Sequence, residues 1–140
     1  MKKFVSLLVA ILMSMLCFAV PVYAESDAES VTRDSNYPSG VWNLATDGTY
    51  YLEGYGQSNG YLYSLKYFTG KSTYAVHIDN LGANYTITVR LVKNTLIDYT
   101  VHSFTVSPGN SVDETITDLS SNSQYYLKFS CPCYFEGTVS

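Results

Sequence analysis

The stretch YTITVRL at residues 85–91 decides the fold class of this chain. Apolar and polar side chains alternate along it, with Tyr85, Ile87, Val89 and Leu91 on one side and Thr86, Thr88 and Arg90 on the other. Such alternation places all apolar side chains on one face of an extended strand. Aromatic and β-branched residues also favour strands. The stretch therefore predicts a β-strand with one buried face.

The same period of two recurs on both sides of this strand, separated by turn sequences such as DG, NG and SPGN. It predicts further strands at 49–53, 61–68, 73–80, 95–106, 112–119, 124–130 and 135–139. The segment 95–106 is long for one strand and predicts a bend or bulge near Asp98 or His102. No segment keeps a helical period. We expect an all-β domain at 41–140, an antiparallel two-sheet β-sandwich, jelly-roll-like, with about eight strands.

The amino end predicts export from the cell. Lys2 and Lys3 precede an apolar run at 4–20, and Pro21 and the sequence VYA follow it, which is typical of a signal peptide cleaved after Ala24. A membrane anchor is the alternative, but the run is at the lower limit for spanning a bilayer. The acidic, serine-rich residues 25–40 predict a flexible leader. We expect a secreted, extracellular protein that does not stay inserted in the membrane.

The net charge of the chain limits the class of partner that it can bind. The chain has 8 basic and 12 acidic residues, a formal charge of −4. Two of the basic residues lie in the predicted signal peptide, so the remainder is more acidic still, and it contains no basic cluster. A nucleic-acid partner is therefore not expected, because phosphate backbones need lysine and arginine contacts.

The candidate ligand-binding residues are Tyr51, Tyr55, Gln57 and Asn59. Tyr55 lies in GYGQSNG at 54–60, whose composition predicts a flexible loop with an aromatic side chain and adaptable amides. Tyr55 could stack on a sugar ring while Gln57 and Asn59 bond its hydroxyl groups. Tyr51 follows Tyr50 directly, so the two must point to opposite faces of the strand. The alternative for 54–60 is a solvated loop without a ligand.

No residue pattern predicts catalysis, a cofactor or a metal. His77 and Asp79 alternate on one strand and could share a proton or hold a metal, but a metal needs three or four ligands and only His102 remains as a further imidazole. A solvated outer face explains the pair. Cys131 and Cys133 flank Pro132, and a local disulfide there needs a kinked strand. Two reduced thiols packed in the sheet, or a redox or metal role, are the alternatives.

Three phrases, SFTVSPGNS at 103–111, ITDL at 116–119 and YYLKF at 125–129, resemble the closing half of secreted bacterial β-sandwich domains. The nearest family is the bacterial pre-peptidase C-terminal domain. The resemblance implies a jelly-roll-like accessory module of secreted enzymes. That family often has an acidic Asp-x-Asp-Leu strand, which this chain lacks, so its calcium and ligand positions are not carried over.

Together these features predict a non-catalytic extracellular module that binds a glycan or a protein. A secreted antimicrobial or toxin-like effector of the lactococcin type is the alternative, since such proteins are also short and tyrosine-rich. A hydrolase that uses His77 or His102 is the third hypothesis.

Overall fold

The computed structural model describes residues 37–140. The predicted signal peptide, and the predicted leader as far as residue 36, lie outside the described residues. The elements are β1 (Val41–Asn43), β2 (Tyr50–Tyr63), β3 (Tyr67–Thr69), β4 (Tyr74–Asn80), β5 (Ile87–Lys93), β6 (Tyr99–Val106), β7 (Ser111–Ile116) and β8 (Tyr125–Val139). Residues 37–140 contain no helix, and so none that could cross a bilayer. The predicted all-β class and the number of strands are confirmed.

Hydrogen bonds join all eight strands into one mixed sheet centred on β8. β2 pairs with one edge of β8 from Lys128 to Val139, and β3 pairs with β8 at Tyr125. The other edge is shared, because β5 pairs with its first half and β4 with its second half. β6 extends the sheet beyond β5 and β7 extends it beyond β4, so the sheet divides into two branches. β1 pairs with β3 in parallel, so the prediction of a purely antiparallel arrangement is wrong there.

The branches diverge where β8 bends. The rings of Phe129 and Phe135 stack with their centroids 4.0 Å apart. Six residues of straight strand would separate them by roughly 20 Å. The bend lies at Cys131-Pro132-Cys133, where the peptide bond before Pro132 is cis. On β2, Gly56 pairs with Cys133 and Gly60 with Cys131, so three residues of β2 bulge opposite the single Pro132.

Two glycines of β2 let it follow this bend closely. A Cβ atom on Gly54 would lie 2.5 Å from the ring of Phe135, and one on Gly56 would lie 2.7 Å from the sulfur of Cys131. Neither position has room for a side chain, because non-bonded carbon atoms need about 3.5 Å. The side chains at the bend of β8 therefore pack directly on the backbone of β2.

Two predicted boundaries are wrong at this bend. The loop expected at 54–60 is part of β2, and the separate strands expected at 124–130 and 135–139 are one strand, β8. Glycine, serine and proline favour turns in isolation, but here each strand keeps the other extended through their shared hydrogen bonds. By contrast, the bulge expected near His102 is confirmed, since the pairing of β5 with β6 shifts between Leu91 and Val92.

The core lies on the inward faces of both branches. The strand at 85–91 contributes Ile87, Val89 and Leu91, all fully buried as the alternation predicts. Residues just before β1 also pack on the domain. Tyr37 stacks on Tyr63 at 5.1 Å, and the backbone amide of Ser39 donates to the carbonyl of Leu65. The domain therefore includes residues before Val41, the residue at which it was expected to begin.

Candidate binding groove

An open groove of about 470 Å³ lies on the outer side of the bend, between β2 and β8 and the β4–β5 connection. We call it the tyrosine groove. Its exposed side chains include those of Tyr55, Leu81, Asn84, Tyr85 and Tyr134. Pro132, Cys133 and Gly56 also line it. A volume of this size is typical of a small-ligand site.

Tyr55 and Tyr134 form the centre of the tyrosine groove. They are directly paired across β2 and β8, and their rings meet edge to face with centroids 5.7 Å apart. Each is 43% exposed, so a large part of both rings faces solvent. The amide of Gln57 donates to the Tyr55 hydroxyl, which holds that ring in place. Two fixed, half-exposed rings form an amphipathic surface that can bind a ligand face.

The opposite wall of the groove is held by one buried asparagine. Asn80 donates from Nδ2 to the carbonyl oxygens of Tyr85, at 2.7 Å, and Val106, at 2.9 Å. Its Oδ1 accepts from the backbone amide of Gly82 at 3.0 Å. The backbone amide of Leu81 donates to the carbonyl of Tyr134, which ties the wall to β8. These bonds preform the groove, so binding need not order a loop.

The sequence-predicted site residues are only partly brought together. Tyr55 and Gln57 lie in the tyrosine groove. Asn59 lies on the bulge, in a neighbouring hollow that Tyr55 and Gln57 also line, together with Tyr61 and Cys131. Tyr51 lies in a third hollow, on the outer face of the other part of β2.

Sequence reasoning missed Tyr85, Tyr134, Leu81 and Asn84. Tyr134 lies between the strands predicted at 124–130 and 135–139, and no local pattern gives it a role. Its position opposite Tyr55 depends on the pairing of β2 with β8, which no local pattern reveals. Tyr85 was assigned to the inward face because it continues the alternation of 85–91, but β5 begins at Ile87 and Tyr85 is exposed.

The hollow around Tyr51 contains several titratable side chains, among them His77 and Asp79. His77 lies between two carboxylates, with Nδ1 2.6 Å from Asp113 and Nε2 3.1 Å from Asp79. These bonds, chiefly that to Asp113, raise the pKa of His77. Ser111 donates to Asp79, and this bond, together with that from His77, lowers the pKa of Asp79. Each ring nitrogen of His77 therefore contacts a carboxylate, an arrangement that favours the protonated imidazole.

The remaining candidate residues lie in two separate places, the cysteine pair on β8 and His102 on β6. The Sγ atoms of Cys131 and Cys133 are 3.3 Å apart, and both are thiols. His102 lies on β6, with Nε2 3.3 Å from Glu114 of β7. Within residues 37–140 no three histidine, cysteine, aspartate or glutamate side chains are grouped so that they could hold a metal ion.

Comparison of the chain with protein-family models, curated proteins and solved structures finds no match. The resemblance to the pre-peptidase C-terminal domain stays a prediction. The proposal for its function therefore rests on the shape and lining of the tyrosine groove.

Proposed function

We propose that this protein is a secreted, non-catalytic module that binds an extracellular glycan in the tyrosine groove. The observation that carries the proposal is the pair Tyr55 and Tyr134, two fixed and half-exposed rings in a groove of ligand size. Sugar rings present C–H faces that pack on aromatic rings, and hydroxyl groups at their edges that need hydrogen-bonding partners.

The polar groups of the groove fit the edges of a sugar. Gln57 and Asn84 offer amides, which both donate and accept hydrogen bonds. The hydroxyl groups of Tyr55, Tyr85 and Tyr134 can do the same. This combination of aromatic and amide side chains is the composition of adaptable binding surfaces.

Charge indicates that the glycan is neutral. None of the residues that line the tyrosine groove is charged, although the chain as a whole is acidic. A charged sugar would lose hydration on entering the groove and find no opposite charge there. A neutral oligosaccharide has no such cost.

We also propose that the protein does not catalyse a reaction in the groove. Hydrolysis needs a general acid or base near the bound substrate, and no carboxylate or imidazole lines the groove. The histidine with raised pKa lies in a different hollow with both nitrogens bonded. A substrate panel with His77→Ala and His102→Ala tests the hydrolase hypothesis. Any turnover that either substitution abolishes would contradict a non-catalytic role.

We also propose that the two branches face each other as a jelly-roll-like sandwich. The pair His102 and Glu114 supports this, because it joins β6 of one branch to β7 of the other. The stacking of Phe129 on Phe135 supports it as well, because one ring comes from each half of β8. A solved structure in which β6 and β7 lie far apart would contradict this arrangement.

An array of neutral and charged glycans together with surface proteins tests the binding function. We expect retention on one or more neutral glycans, with losses of about tenfold or more for Tyr55→Ala and Tyr134→Ala. Tyr99→Ala is the control, because Tyr99 is also about half exposed but lies outside the groove. Binding to proteins alone, or equal binding by all three variants, would contradict the proposal.

One observation favours the effector as a second candidate. The β5–β6 connection presents Leu96 and Ile97 side by side, the first fully exposed and the second 82% exposed. Paired exposed aliphatic side chains are unusual on a surface without a partner. If the protein is an effector, purified protein should inhibit the growth of neighbouring strains, and Leu96→Ser with Ile97→Ser should remove the inhibition. Protein that is inert at high dose would exclude this candidate.

A further inference from the structure

We propose that Cys131 and Cys133 are a reversible dithiol–disulfide pair whose oxidation changes the shape of the tyrosine groove. The redox step stands on the geometry of the thiols alone. Its effect on ligand binding rests on the function proposed for the groove.

The thiols are close enough to bond after a small movement. Their Sγ atoms are 3.3 Å apart, and a disulfide needs about 2.05 Å. Residues two apart on a straight strand are poorly placed for this bond, because their Cα atoms lie near the far limit of disulfide geometry. Here the chain bends between Phe129 and Phe135, as the stacking of their rings shows, and both cysteines lie within this segment.

The pair has no other thiol to react with inside the described residues. Cys131 and Cys133 are the only cysteines in residues 37–140, and Cys17 lies in the predicted signal peptide. Neither belongs to a cluster that could hold a metal. The chemistry open to them within one chain is therefore the joining of both sulfurs in one disulfide, with a small disulfide as the oxidant that accepts the two electrons.

The difference in burial sets the order of the two steps. Cys131 is partly exposed, so its thiolate attacks a low-molecular-weight disulfide and releases one small thiol. The thiolate of Cys133, which is buried beside it, then attacks the sulfur of Cys131 and releases the second small thiol. Both cysteine protons pass to the released thiolates, so one small disulfide is reduced as one protein disulfide forms. Burial, and then the hydrogen bond with Cys131, raise the pKa of Cys133, so the second step should quicken as the pH rises.

The thiols are placed to alter the groove when they move. Cys133 lines the tyrosine groove and Cys131 lines the hollow beside it. The sulfur of Cys131 also packs directly on the backbone of Gly56, as the lack of room for a Cβ there shows. Gly56 is the neighbour of Tyr55, and Cys133 is the neighbour of Tyr134. Drawing the two sulfurs together therefore displaces the backbone next to both central rings.

The test uses the full chain with Cys17→Ser, so that only the proposed pair can react. Oxidised glutathione is added, and the product is followed by mass spectrometry and by counting thiols that react with a maleimide. We expect the loss of two hydrogen masses and of both reactive thiols, with full recovery on reduction. A stable glutathione adduct, or dimers joined through these cysteines, would overturn the redox step.

A second measurement tests the coupling without any glycan. Isotopically labelled tyrosine rings are observed by NMR in the reduced and the oxidised protein. We expect the resonances of Tyr55 and Tyr134 to shift while those of Tyr99 do not. A disulfide that forms without shifting either ring would overturn the coupling.

The double variant Cys131→Ala with Cys133→Ala is the control, and it should show no redox dependence. If a glycan ligand is found, oxidation should change its dissociation constant by about threefold or more. Failure to find a glycan would affect the proposed function but neither the thiol count nor the ring shifts.

Discussion

Two groups of tyrosines lie on the outer surface of this protein, and they differ in whether something covers them. In the first, Tyr126 is 3% exposed and is surrounded by Tyr37, Tyr63 and Tyr67, with ring centroids 5.9 to 6.0 Å away. We call these four residues the tyrosine layer. In the second, the tyrosine groove, Tyr55 and Tyr134 contact each other but remain open to solvent.

The difference comes from segments outside the strands. The segment before β1 places Tyr37 over the layer, and the β5–β6 connection provides Asp98, which accepts a hydrogen bond from the Tyr126 hydroxyl at 3.0 Å. Burial then raises the pKa of Tyr126, Tyr63 and Tyr67. The wall of the groove ends beside Tyr134 without covering it. The same residue type therefore stabilises the fold in one place and stays available to a ligand in the other.

The largest expected effect separates stability from binding. Tyr126→Ala removes a buried ring and should lower the free energy of unfolding by about 3–5 kcal/mol. Tyr134→Ala removes a half-exposed ring and should change it by about 0.5 kcal/mol or less. Urea denaturation followed by circular dichroism measures both. Similar losses for the two variants would remove the distinction between layer and groove.

The bend that creates the groove depends on Gly54. Gly54→Ala should cost about 1–3 kcal/mol of stability, because its Cβ has no room beside the ring of Phe135. Ser58→Ala lies on the exposed bulge of the same strand and serves as the control, with no measurable cost expected. A Gly54→Ala variant as stable as the control would show that β2 and β8 are not packed as described.

The hydroxyl group of Tyr126 contributes to the free energy of unfolding separately from its ring. Tyr126→Phe should cost about 1 kcal/mol, since it removes the hydrogen bond to Oδ2 of Asp98, whose Oδ1 still accepts from the backbone amide of Thr95. Tyr63→Phe is the matched control, because the Tyr63 hydroxyl makes no hydrogen bond among the described residues. The same denaturation experiment compares the two. Equal stability of these variants would mean that Asp98 does not fix the cover over the layer.

The smallest effect concerns His77, in the hollow around Tyr51. Asp113→Asn should lower the pKa of His77, which an NMR titration of the imidazole measures directly. The hydrogen bonds raise that pKa above its ordinary value of 6.5, so their stabilisation is complete below pH 6.5 and is lost as the pH rises through the folded value.

Stability should nevertheless change by only about 0.5 kcal/mol or less, because Asp113 is largely exposed and its charge is screened. The pKa of Asp79 is shifted in the opposite direction to that of His77, so its contribution to stability depends on pH in the opposite sense. Its lowered pKa stabilises the fold above about pH 3.8, and this contribution is lost as the pH falls through the lower folded value. A pKa of His77 that does not move in Asp113→Asn would show that the contact does not form in solution.

The sequence predicted what depends on local alternation. Ile87, Val89 and Leu91 are buried as their spacing indicates, and the bulge near His102 is present. It could not predict what depends on which strands pair. Gly54 and Gly56 indicate a flexible loop when read alone, yet they are glycines because side chains of β8 occupy the space where their own would be.

The candidate site was predictable to the same limited extent. Tyr55 and Gln57 were found because aromatic and amide residues together indicate a binding surface. Tyr134, 79 positions later in the chain than Tyr55, enters the site only through the register of β2 and β8. Asn59 has the right chemistry but does not line the tyrosine groove; it lines the neighbouring hollow together with Tyr55 and Gln57. Periodicity assigns faces to a strand, whereas pairing decides which side chains become neighbours.

The most direct measurement is an NMR titration of the labelled tyrosine rings with the neutral oligosaccharide that binds best on the array. The account predicts that the resonances of Tyr55, Tyr85 and Tyr134 shift with a common dissociation constant, while those of Tyr63, Tyr67 and Tyr126 stay in place. Shifts confined to the tyrosine layer, or no ring shifts for any glycan tested, would contradict the claim that the uncovered tyrosines form the binding site.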